Sequence, residues 1–333
     1  MMLPCRYPLI QAPMAGGATT VNLVAAVCRA GGLGSLGAGY LPASAISEAV
    51  AAIRARCDGP FAINLFIQGK PPAPCPAASD ALQWAQRQLN VQGASAVPAV
   101  DFDAQFAAVL AARPAVFSFT FGRLAKPYLS ALKSAGICVM GTATNHDEAR
   151  QLVSDGVDAV VLQGSEAGGH RGSTSAEGLA ACLPLADVWQ QCQSLPCPLI
   201  VAGAISTGQQ WRYWLDKGAA AVQMGTAFLF CDEAGISSSY RQALLAGERD
   251  TALTRAFSGR LARGLNNHFM RQQESAVIAD YPLQNALTQP LRQAAAQQGN
   301  PEFQSLWAGT GYRQCRALSA PRLMATLVAE AGL

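Results

Sequence analysis

Charge is scarce in this chain of 333 residues, because Asp, Glu, Lys and Arg together make up 14% of it and the formal net charge is +3. No block of like charges and no basic stripe occurs, which argues against a nucleic acid as a partner. The hydrophobic share of 50% argues against disorder and against a coiled coil. We therefore expect a globular protein with room for a barrel-sized domain and a smaller one.

Long apolar segments are also missing. The first ten residues, MMLPCRYPLI, lack the apolar core that a signal peptide needs. No uninterrupted apolar stretch is long enough to span a membrane. The sequence therefore predicts a cytoplasmic protein without a membrane contact.

Paired metal ligands are the third absence. The ten cysteines form no C-x-x-C pair, and the three histidines are scattered. A chain of this length does not need a disulfide scaffold, so we expect reduced thiols that are mostly buried and no metal site. We expect a monomer or a homodimer.

The sequence does contain eight short apolar segments, each bounded by Gly, Pro or a capping residue. None alternates cleanly between apolar and polar residues, which is typical of parallel strands covered on both faces. Amphipathic helical patterns lie between them, so the fold class is α/β, and eight strands favour a closed (β/α)8 TIM barrel over an open sheet. The segments are 8–14, 32–38, 61–66, 115–121, 137–143, 159–164, 198–204 and 221–228.

Two segments depart from this alternation of strand and helix. Residues 67–113 begin with a Pro-rich stretch and continue with helical patterns, and the tail after the eighth strand is predicted to be mostly helical. The end of that tail, 321–333, is predicted to be the eighth barrel helix. We therefore predict a barrel domain from 1–66, 114–230 and 319–333, and a small helical cap domain from 67–113 and 231–318.

The last two predicted strands end in turns that suit a phosphate group. Residues 206–208, Ser-Thr-Gly, open a helix with Ser206 and Gln209 at capping-box spacing, and residues 224–226, Met-Gly-Thr, follow the first three residues of the eighth segment, 221–223. Free backbone N–H groups and hydroxyls bind phosphate, and barrels commonly place that site after strands seven and eight. The alternative is that both are ordinary turns between a strand and a helix.

His170 follows the sixth predicted strand in a glycine-rich loop. Such a loop cannot pack a core around the imidazole, but it can hold the imidazole over a ligand, so His170 is either a catalyst or a hydrogen-bonded loop residue. Glu166 is either a general base or, as we prefer, an anchor for loop N–H groups. His146 and His268 rank below His170. The glycines of the loop are Gly164, Gly168, Gly169 and Gly172.

Amides and arginines complete the set of candidate residues. Gln163 and Asn64 end two strands, where an amide suits the edge of a flat heterocycle but is also a common turn former. Arg260 and Arg263 could hold an anion or clamp the tail to the barrel, and we favour the clamp.

Taken together, these motifs resemble the nitronate monooxygenase family, formerly called 2-nitropropane dioxygenases. The EAGGHRG form and the DYP…GNPEF…WAGTG tail of residues 280–311 are most similar to class I members, and the resemblance covers essentially the whole chain. The motifs are QAPMAGG (11–17), AGGLGSLG (30–37), NLF (64–66), SFTFG (118–122), QGSEAGGHRG (163–172), VAGAISTG (201–208), AVQMGTAF (221–228) and SGRLARG (258–264).

The resemblance implies a TIM barrel with a small helical domain, FMN bound non-covalently at the strand ends, and His170 as the catalytic residue. One departure is Ala204, where the family often has a second glycine. The positions that the resemblance assigns to FMN are Ala12, Pro13, Met14, Asn64, Gln163, Gly168, Gly169, Gly203, Ala204, Gln223, Met224, Gly225 and Thr226.

The resemblance also implies a reaction: oxidation of alkyl nitronates, such as propionate 3-nitronate, by O2 through a flavin semiquinone to a carbonyl product and nitrite or nitrate, without NAD(P)H. One alternative is an FMN-dependent NAD(P)H:quinone reductase or enoyl-acyl-carrier-protein reductase of the same superfamily. An alternative of another class is a non-catalytic barrel that binds a phosphate ligand.

Overall fold

The fold is a closed barrel of eight parallel strands, which pair in their order along the chain and close between the last and the first. The computed structural model describes residues 3–67, 69, 72–92, 100–174 and 182–333. The predicted (β/α)8 TIM barrel is confirmed. The barrel strands are β1 Leu9–Gln11, β2 Leu33–Gly37, β3 Phe61–Phe66, β4 Val116–Thr120, β5 Cys138–Ala143, β6 Ala159–Gln163, β8 Leu199–Ala202 and β9 Ala221–Met224.

Both faces of the barrel strands are apolar. Residues such as Ile10 and Val161 belong to a cluster in the barrel interior, whereas their neighbours Leu9 and Leu162 pack in the cluster shared with the helices. Because side chains alternate between the two faces of a strand, burial on both faces produces continuous apolar runs. This is why the strands could be found in the sequence without a period of two.

The inner face becomes polar towards the carboxyl ends of the strands. Side chains two positions apart on a strand share a face, so residues two positions beyond the interior cluster point to the same side at the barrel mouth. This change from apolar to polar residues identifies the end of the barrel that can hold a ligand. Asn64, Ser118, Thr142, Gln163 and Gln223 stand two positions beyond Ala62, Val116, Met140, Val161 and Ala221.

The helices begin and end at capping residues. In α7, the side chain of Asn145 accepts a hydrogen bond from the N–H of Glu148, and the helix ends at Gly156 with φ +93°. The helices are α1 Val21–Arg29, α2 Ala43–Arg54, α3 Pro76–Asp80, α4 Gln83–Leu89, α5 Phe102–Ala112, α6 Lys126–Ser134, α7 His146–Asp155, α8 Leu185–Cys192, α9 Gly208–Asp216, α10 Thr226–Leu229, α11 Ser238–Ala246, α12 His268–Gln272, α13 Leu283–Gln297 and α14 Ala320–Ala331.

Helix α9 begins one residue later than its sequence pattern predicts. The predicted capping box paired Ser206 with Gln209, but the observed N-cap is Thr207, whose hydroxyl accepts from Gln210 N while the Gln210 side chain accepts from Thr207 N. The prediction was wrong by one residue because Ser206 also has a hydroxyl and is followed at the same spacing by a Gln. Helix α14 packs against α1 and α9, the position of the eighth barrel helix.

A second hydrophobic cluster lies outside the barrel, where α3 and α4 meet α12 and α13. Its largest members include Phe257, Phe269 and Phe303. Helix α5, which the sequence reading placed in the cap, instead packs against α2, with Phe106 and Val109 in the barrel core. An amphipathic helix does not by itself reveal which of two neighbouring cores it covers.

The tail also contains strands that the sequence reading did not predict. Residues Thr251–Thr254 (β10) and Ala262–Leu265 (β11) form an antiparallel pair, and β11 pairs with the two-residue strand Gly169–His170 (β7). The strands are short and β10 is only half-buried, so neither leaves a clear hydrophobic pattern. Their consequence is that the cap is hydrogen-bonded directly to the loop that carries His170.

Across the described parts of the chain, no helix is both long enough and apolar enough to cross a bilayer. The same residues contain no group of three or more His, Cys, Asp or Glu side chains that could hold a metal ion.

Candidate active site

The imidazole of His170 lies at the mouth of the barrel and is held from two sides. Its residue pairs with Ala262 of β11, and its Nε2 lies 2.8 Å from Ser258 Oγ. On the barrel side, Gln163 Nε2 donates to His170 O at 3.0 Å, and Gln163 Oε1 accepts from Gly172 N at 2.7 Å. These bonds fix the backbone on both sides of the histidine.

Ser258 sets which nitrogen of the imidazole carries the proton. Its buried hydroxyl donates to Arg260 O at 3.0 Å and accepts from Arg260 N at 3.2 Å. A hydroxyl has one proton, so with that proton directed at Arg260 O, the oxygen accepts the Nε2–H of His170. The neutral imidazole then has its free lone pair on Nδ1.

Two glutamates anchor the loop around His170. The buried carboxylate of Glu148 accepts hydrogen bonds from Thr144 N at 2.7 Å and Thr174 N at 2.8 Å. Glu166 accepts from Leu185 N at 3.0 Å, which is the anchoring role that we preferred for it. Satisfied carboxylates of this kind stabilise the loop rather than act as bases.

Aromatic rings surround the imidazole of His170. Its centroid lies 5.8 Å from Phe121, 6.3 Å from Tyr281 and 5.5 Å from Trp307. These rings displace water from the imidazole, so its charged form would be poorly solvated. The pocket is therefore apolar, and the imidazole of His170 in it has an ordinary pKa near neutrality.

Arginines supply the positive charge of the site. The Arg260 guanidinium lies 4.1 Å from the centroid of Phe121, and its Nε donates to Arg171 O at 3.4 Å. Arg263 Nε donates to Ser165 O at 2.7 Å. Both residues therefore bind carbonyl groups of the His170 loop, as the clamp interpretation predicts.

Burial and two nearby arginines lower the pKa of His170 to about 3. Loss of hydration is the largest cause, followed by repulsion from the guanidinium groups of Arg260 and Arg292. The imidazole is therefore neutral at physiological pH. It can donate one hydrogen bond and accept a proton, but the net positive charge near it belongs to the arginines.

The polar residues at the barrel mouth are brought together as the strand parity predicts. Asn64 Nδ2 donates to Ser118 Oγ at 2.9 Å and to Thr120 Oγ1 at 3.4 Å. The N–H groups of the Asn64 amide are therefore bonded to hydroxyl groups of β4. The side-chain amide of Gln163 is already bonded on both its N–H and its carbonyl side by the His170 loop.

The segment after β1 lies beside the turn after β9. Ala12 N donates to Met224 O at 2.8 Å, and a Cβ added to Gly225 would meet the Ala12 Cβ at 3.4 Å. Met14 N is held by Thr19 Oγ1 at 2.9 Å. The residues from Ala12 to Met14 and those from Gln223 to Thr226 thus form one continuous edge of the mouth.

The two proposed phosphate turns differ from their sequence-based description. At the start of α9, Ser206 N and Thr207 N donate to Gln210 Oε1, and Gly208 N donates to Glu330 Oε2 at 2.8 Å. Those three N–H groups are therefore occupied. In the described part of the chain, no hydrogen bond involves the backbone N–H groups of Gly203, Ala204, Gly225 and Thr226.

Two of these N–H groups, those of Gly203 and Ala204, belong to the turn after β8. A Cβ built on Gly203 would be in ordinary van der Waals contact with Ala167 N at 3.5 Å. A cavity of about 360 Å³ adjoins this turn and is lined by residues of the β8 turn and of α9. Unpaired N–H groups beside a cavity suit an anion such as phosphate.

Ala204 has a left-handed backbone with φ +51°. L-residues other than Asn, Asp and Gly seldom adopt this region, because Cβ then crowds the backbone. The family's frequent glycine at this position is therefore explained by conformation. The methyl group of Ala204 is accommodated at some cost in strain, and the turn keeps its shape.

The sequence motifs assigned no role to residues 307–311, which cover the barrel mouth next to Glu166 and Thr226. Gly309 N donates to Thr226 Oγ1 at 3.0 Å, and Thr310 N donates to Glu166 O at 3.0 Å. A Cβ on Gly168 would lie 2.5 Å from Gly309 N, so these two segments of the chain are in contact through their backbones. The signal that could have revealed this contact is the run of small residues in WAGTG.

Known proteins that are similar to this chain point to one family. The family model described as nitronate monooxygenase matches residues 2–330. A probable nitronate monooxygenase from Bacillus subtilis (strain 168) is 37% identical over 97% of this chain and 95% of its own length. One from Staphylococcus saprophyticus is 37% identical over 99% of this chain and 96% of its own.

Solved structures are similar along the whole chain. The nitroalkane oxidase of Streptomyces ansochromogenes superposes with a TM-score of 0.94 at 37% identity, covering 99% of this chain and 96% of its own. FabK from Thermotoga maritima superposes with a TM-score of 0.77 at 25% identity, covering 99% of this chain and 94% of its own. The barrel and the cap therefore recur together in these proteins.

Proposed function

This chain belongs to the nitronate monooxygenase family, and from that premise we propose that it oxidises alkyl nitronates, such as propionate 3-nitronate, with O2 and bound FMN. The products are a carbonyl compound and nitrite or nitrate. The nitronate carbon gains oxygen as its C–N bond breaks, and O2 is the oxidant. The observation that carries the proposal is a neutral imidazole, His170, in an apolar pocket whose charge comes from arginines.

The residues of the site fit FMN. The unbonded N–H groups of Gly203, Ala204, Gly225 and Thr226 are donors for its phosphate. Asn64 and the edge formed by Ala12, Pro13, Met14, Gln223 and Met224 are candidates for contacts to the ring. A Cβ added to Gly169 would meet nothing within 4 Å, so its backbone allows close approach, whereas the same face of Gly168 is covered by residues 308–309. The chemistry that FMN supplies when bound is electron transfer between the nitronate and O2.

His170 faces the substrate in this proposal. A nitronate is an anion whose charge lies on its nitro oxygens. The imidazole stays neutral and its Nε2–H is bonded to Ser258, so it faces the substrate with the lone pair of Nδ1 and not with an N–H. The arginine field attracts the anion. Towards a neutral nitroalkane, the lone pair of the imidazole is a base that can take the proton from the carbon bearing the nitro group.

The aromatic residues of the pocket exclude water. Phe121, Tyr281 and Trp307 pack around the imidazole. A dry pocket strengthens the interaction between the anion and the guanidinium groups, because the effective dielectric constant is lower there. It also protects the nitronate from protonation by solvent.

The proposal is tested by the visible spectrum of the purified protein and by an oxygen electrode. We expect a flavin spectrum, and oxygen uptake with formation of nitrite when propionate 3-nitronate is added without NAD(P)H. Rapid anaerobic bleaching by NADH with no nitronate-driven oxygen uptake would instead assign a quinone or enoyl reductase. A colourless protein that cannot be reconstituted with FMN would assign a non-catalytic barrel for a phosphate ligand.

The localisation and the assembly are proposed together with the function. We propose a cytoplasmic monomer or homodimer that acts on a small-molecule nitronate and has neither a nucleic-acid nor a membrane partner. The supporting observations are the low net charge of +3 and the reduced state expected of the ten cysteines. Size-exclusion chromatography with light scattering, together with fractionation of the source cells, tests both statements.

A further inference from the structure

The hydroxyl group of Tyr40 is buried at the barrel mouth and has no hydrogen-bond partner among the residues that the structure describes. Burial of a hydroxyl that loses its hydration without gaining a partner costs free energy. Such a group is explained most simply where a ligand supplies the missing partner. The reaction proposed above does not yet use this hydroxyl.

The backbone around Tyr40 is held from the barrel and from α5. Ala38 N donates to Asn64 O at 2.9 Å, which joins the segment after β2 to the end of β3. The buried amide of Gln105 donates to Ala38 O at 3.2 Å and to Leu41 O at 2.7 Å. Tyr40 lies between these two carbonyl groups, so its position at the mouth is fixed on both sides.

A row of aromatic rings leads from Tyr40 to the imidazole of His170. The ring of Tyr40 meets that of Phe66 edge-on, with centroids 5.2 Å apart. Phe66 lies 4.6 Å from Phe121, which lies 5.8 Å from His170. These residues end or follow β2, β3, β4 and β6, and parallel strands end on the same side of a barrel. The row is therefore one wall of the pocket that contains the imidazole.

The central ring of this wall is held by a strained backbone. Phe121 has φ +77°, in the left-handed region that a bulky L-residue seldom adopts. Strain of this kind persists only where the surrounding contacts enforce it, and it is concentrated at functional sites. Here it places the ring between Phe66 and His170.

Tyr281 lies beside the same wall and leaves the Tyr40 hydroxyl free. Its ring is 5.7 Å from Phe121 and 6.3 Å from His170, and no hydrogen bond joins its phenol to Tyr40. Burial raises the pKa of Tyr40, and the neighbouring phenol of Tyr281 offsets this only in part. The hydroxyl of Tyr40 is therefore protonated at neutral pH and keeps its proton for a ligand.

The imidazole of His170 leaves a role for such a donor. Its Nε2–H is bonded to Ser258, so the lone pair of Nδ1 faces the substrate. A lone pair repels the charged oxygens of a nitronate, which bind best to an N–H or O–H group. The hydroxyl of Tyr40 is an O–H group without an acceptor in the part of the chain that the structure describes.

We infer that the hydroxyl of Tyr40 donates a hydrogen bond to an oxygen of the nitronate group, which makes Tyr40 a second catalytic residue beside His170. This inference rests on the proposed function. With a neutral nitroalkane, the C–H bond next to the nitro group breaks, its proton goes to His170 Nδ1, and the electron pair moves to the nitro oxygens. The bond from Tyr40 strengthens as that charge develops, so it stabilises the transition state.

The test is Tyr40→Phe, which removes the hydroxyl and keeps the ring. Oxygen uptake with propyl-1-nitronate gives kcat/KM, which we expect to fall about 10- to 100-fold, the range of a hydrogen bond to a charged group. The FMN content should stay at the wild-type level. Because the hydroxyl has no partner among the described residues, the midpoint of urea denaturation should not fall.

The control is Tyr7→Phe, which changes a phenol that precedes β1 at the opposite end of the barrel, where Arg6 lies 4.9 Å from its ring centroid. It must keep the wild-type kcat/KM. Wild-type kcat/KM in Tyr40→Phe would overturn the inference and leave the proposed function standing. A lower urea midpoint in Tyr40→Phe would show that the hydroxyl stabilises the fold, and would also overturn it. Wild-type protein that binds FMN but oxidises no nitronate would overturn both.

A binding measurement separates recognition from turnover. Butyrate has the shape of propyl-1-nitronate with a carboxylate in place of the nitronate group. Titration of the FMN-loaded protein, followed by the flavin absorbance, gives its dissociation constant. We expect butyrate to bind Tyr40→Phe at least about 10-fold more weakly than wild type and Tyr7→Phe. Equal binding to all three proteins would contradict the inference.

Discussion

The imidazole Nε2 of His170 lies 2.8 Å from the hydroxyl oxygen of Ser258, a residue of the cap segment 88 positions further along the chain. The loop that carries His170 belongs to the barrel, whereas Ser258, which accepts the Nε2 proton of the imidazole, belongs to the cap. The strand pairing between His170 and Ala262 fixes the same two segments through their backbones. The barrel and the cap are therefore both required to build the site, which explains why similar proteins contain both.

Replacement of His170 by Asn removes the imidazole while keeping a polar side chain of similar reach. We expect the variant to retain FMN and to lose about 100-fold or more of kcat/KM with a nitronate, the usual size of a proton-transfer or hydrogen-bond contribution. Oxygen uptake and flavin absorbance measure the two effects. His146→Asn, on a partly exposed helix residue, is the matched control. Turnover at the wild-type rate in His170→Asn would sink the assignment.

Replacement of Ser258 by Ala removes the acceptor for the Nε2 proton. We expect kcat/KM to fall about 3- to 10-fold, because one neutral hydrogen bond is lost. The ¹⁵N chemical shifts of His170 should also show a larger share of the Nδ1–H tautomer, which general destabilisation would not produce. Ser47→Ala, at an exposed serine of α2, serves as the control. An unchanged tautomer ratio in Ser258→Ala would contradict this role.

The lowered pKa of His170 gives a clear result in an NMR titration. The chain has three histidines, so the His170 resonance can be assigned by its absence from His170→Asn. Burial and the arginines lower its pKa from 6.5 to about 3, so this resonance should not titrate between pH 5 and 8. A midpoint near pH 6.5 for His170 in the folded protein would show that the imidazole is hydrated.

The same shift makes stability depend on pH. The folded pKa lies below the unfolded value of 6.5, so below pH 6.5 the unfolded chain binds a proton that the folded chain does not. The free energy of unfolding should therefore decrease as the pH is lowered, by about 2 kcal/mol from pH 7 to pH 5 from this group alone. Urea denaturation of wild type and His170→Asn at both pH values measures it. Equal pH dependence of the two proteins would argue against the shift.

Replacement of Ala204 by Gly tests the strain in the turn after β8. A backbone φ of +51° strains alanine but not glycine. The relief of this strain outweighs the larger conformational entropy that glycine gives to the unfolded chain. We expect the variant to be more stable by about 1 kcal/mol, measured by urea denaturation. Ala135→Gly at the end of α6 should destabilise, since that residue is right-handed. A loss of stability in Ala204→Gly would show that the turn is not strained.

Replacement of Gly168 by Ala tests the contact between the His170 loop and residues 307–311. The added methyl carbon would stand 2.5 Å from Gly309 N, so one backbone must move. We expect a loss of about 1–3 kcal/mol in unfolding free energy and weaker retention of FMN on dilution. Gly69→Ala adds a methyl group where nothing lies within 4 Å and is the control. Wild-type stability and FMN retention in Gly168→Ala would mean that the segments are not in contact.

The sequence by itself determined the barrel and the location of the site. Strands buried on both faces must be apolar throughout, so the runs that became β1 to β6, β8 and β9 were visible without any partner information. Parallel strands end on the same side of a barrel, so Asn64, Gln163 and Gln223 had to meet at one mouth. The glycine-rich loop after the sixth strand placed His170 there as well.

Only the tertiary structure decided which groups at that mouth are available. The N–H groups of Ser206, Thr207 and Gly208 looked free in sequence, but Gln210 and the distant Glu330 occupy them. The strand pairing of His170 with β11 also joins residues far apart in the chain. Local sequence records the conformation and the hydrophobic face of a segment, whereas the partner of a donor or a charge depends on how distant segments pack.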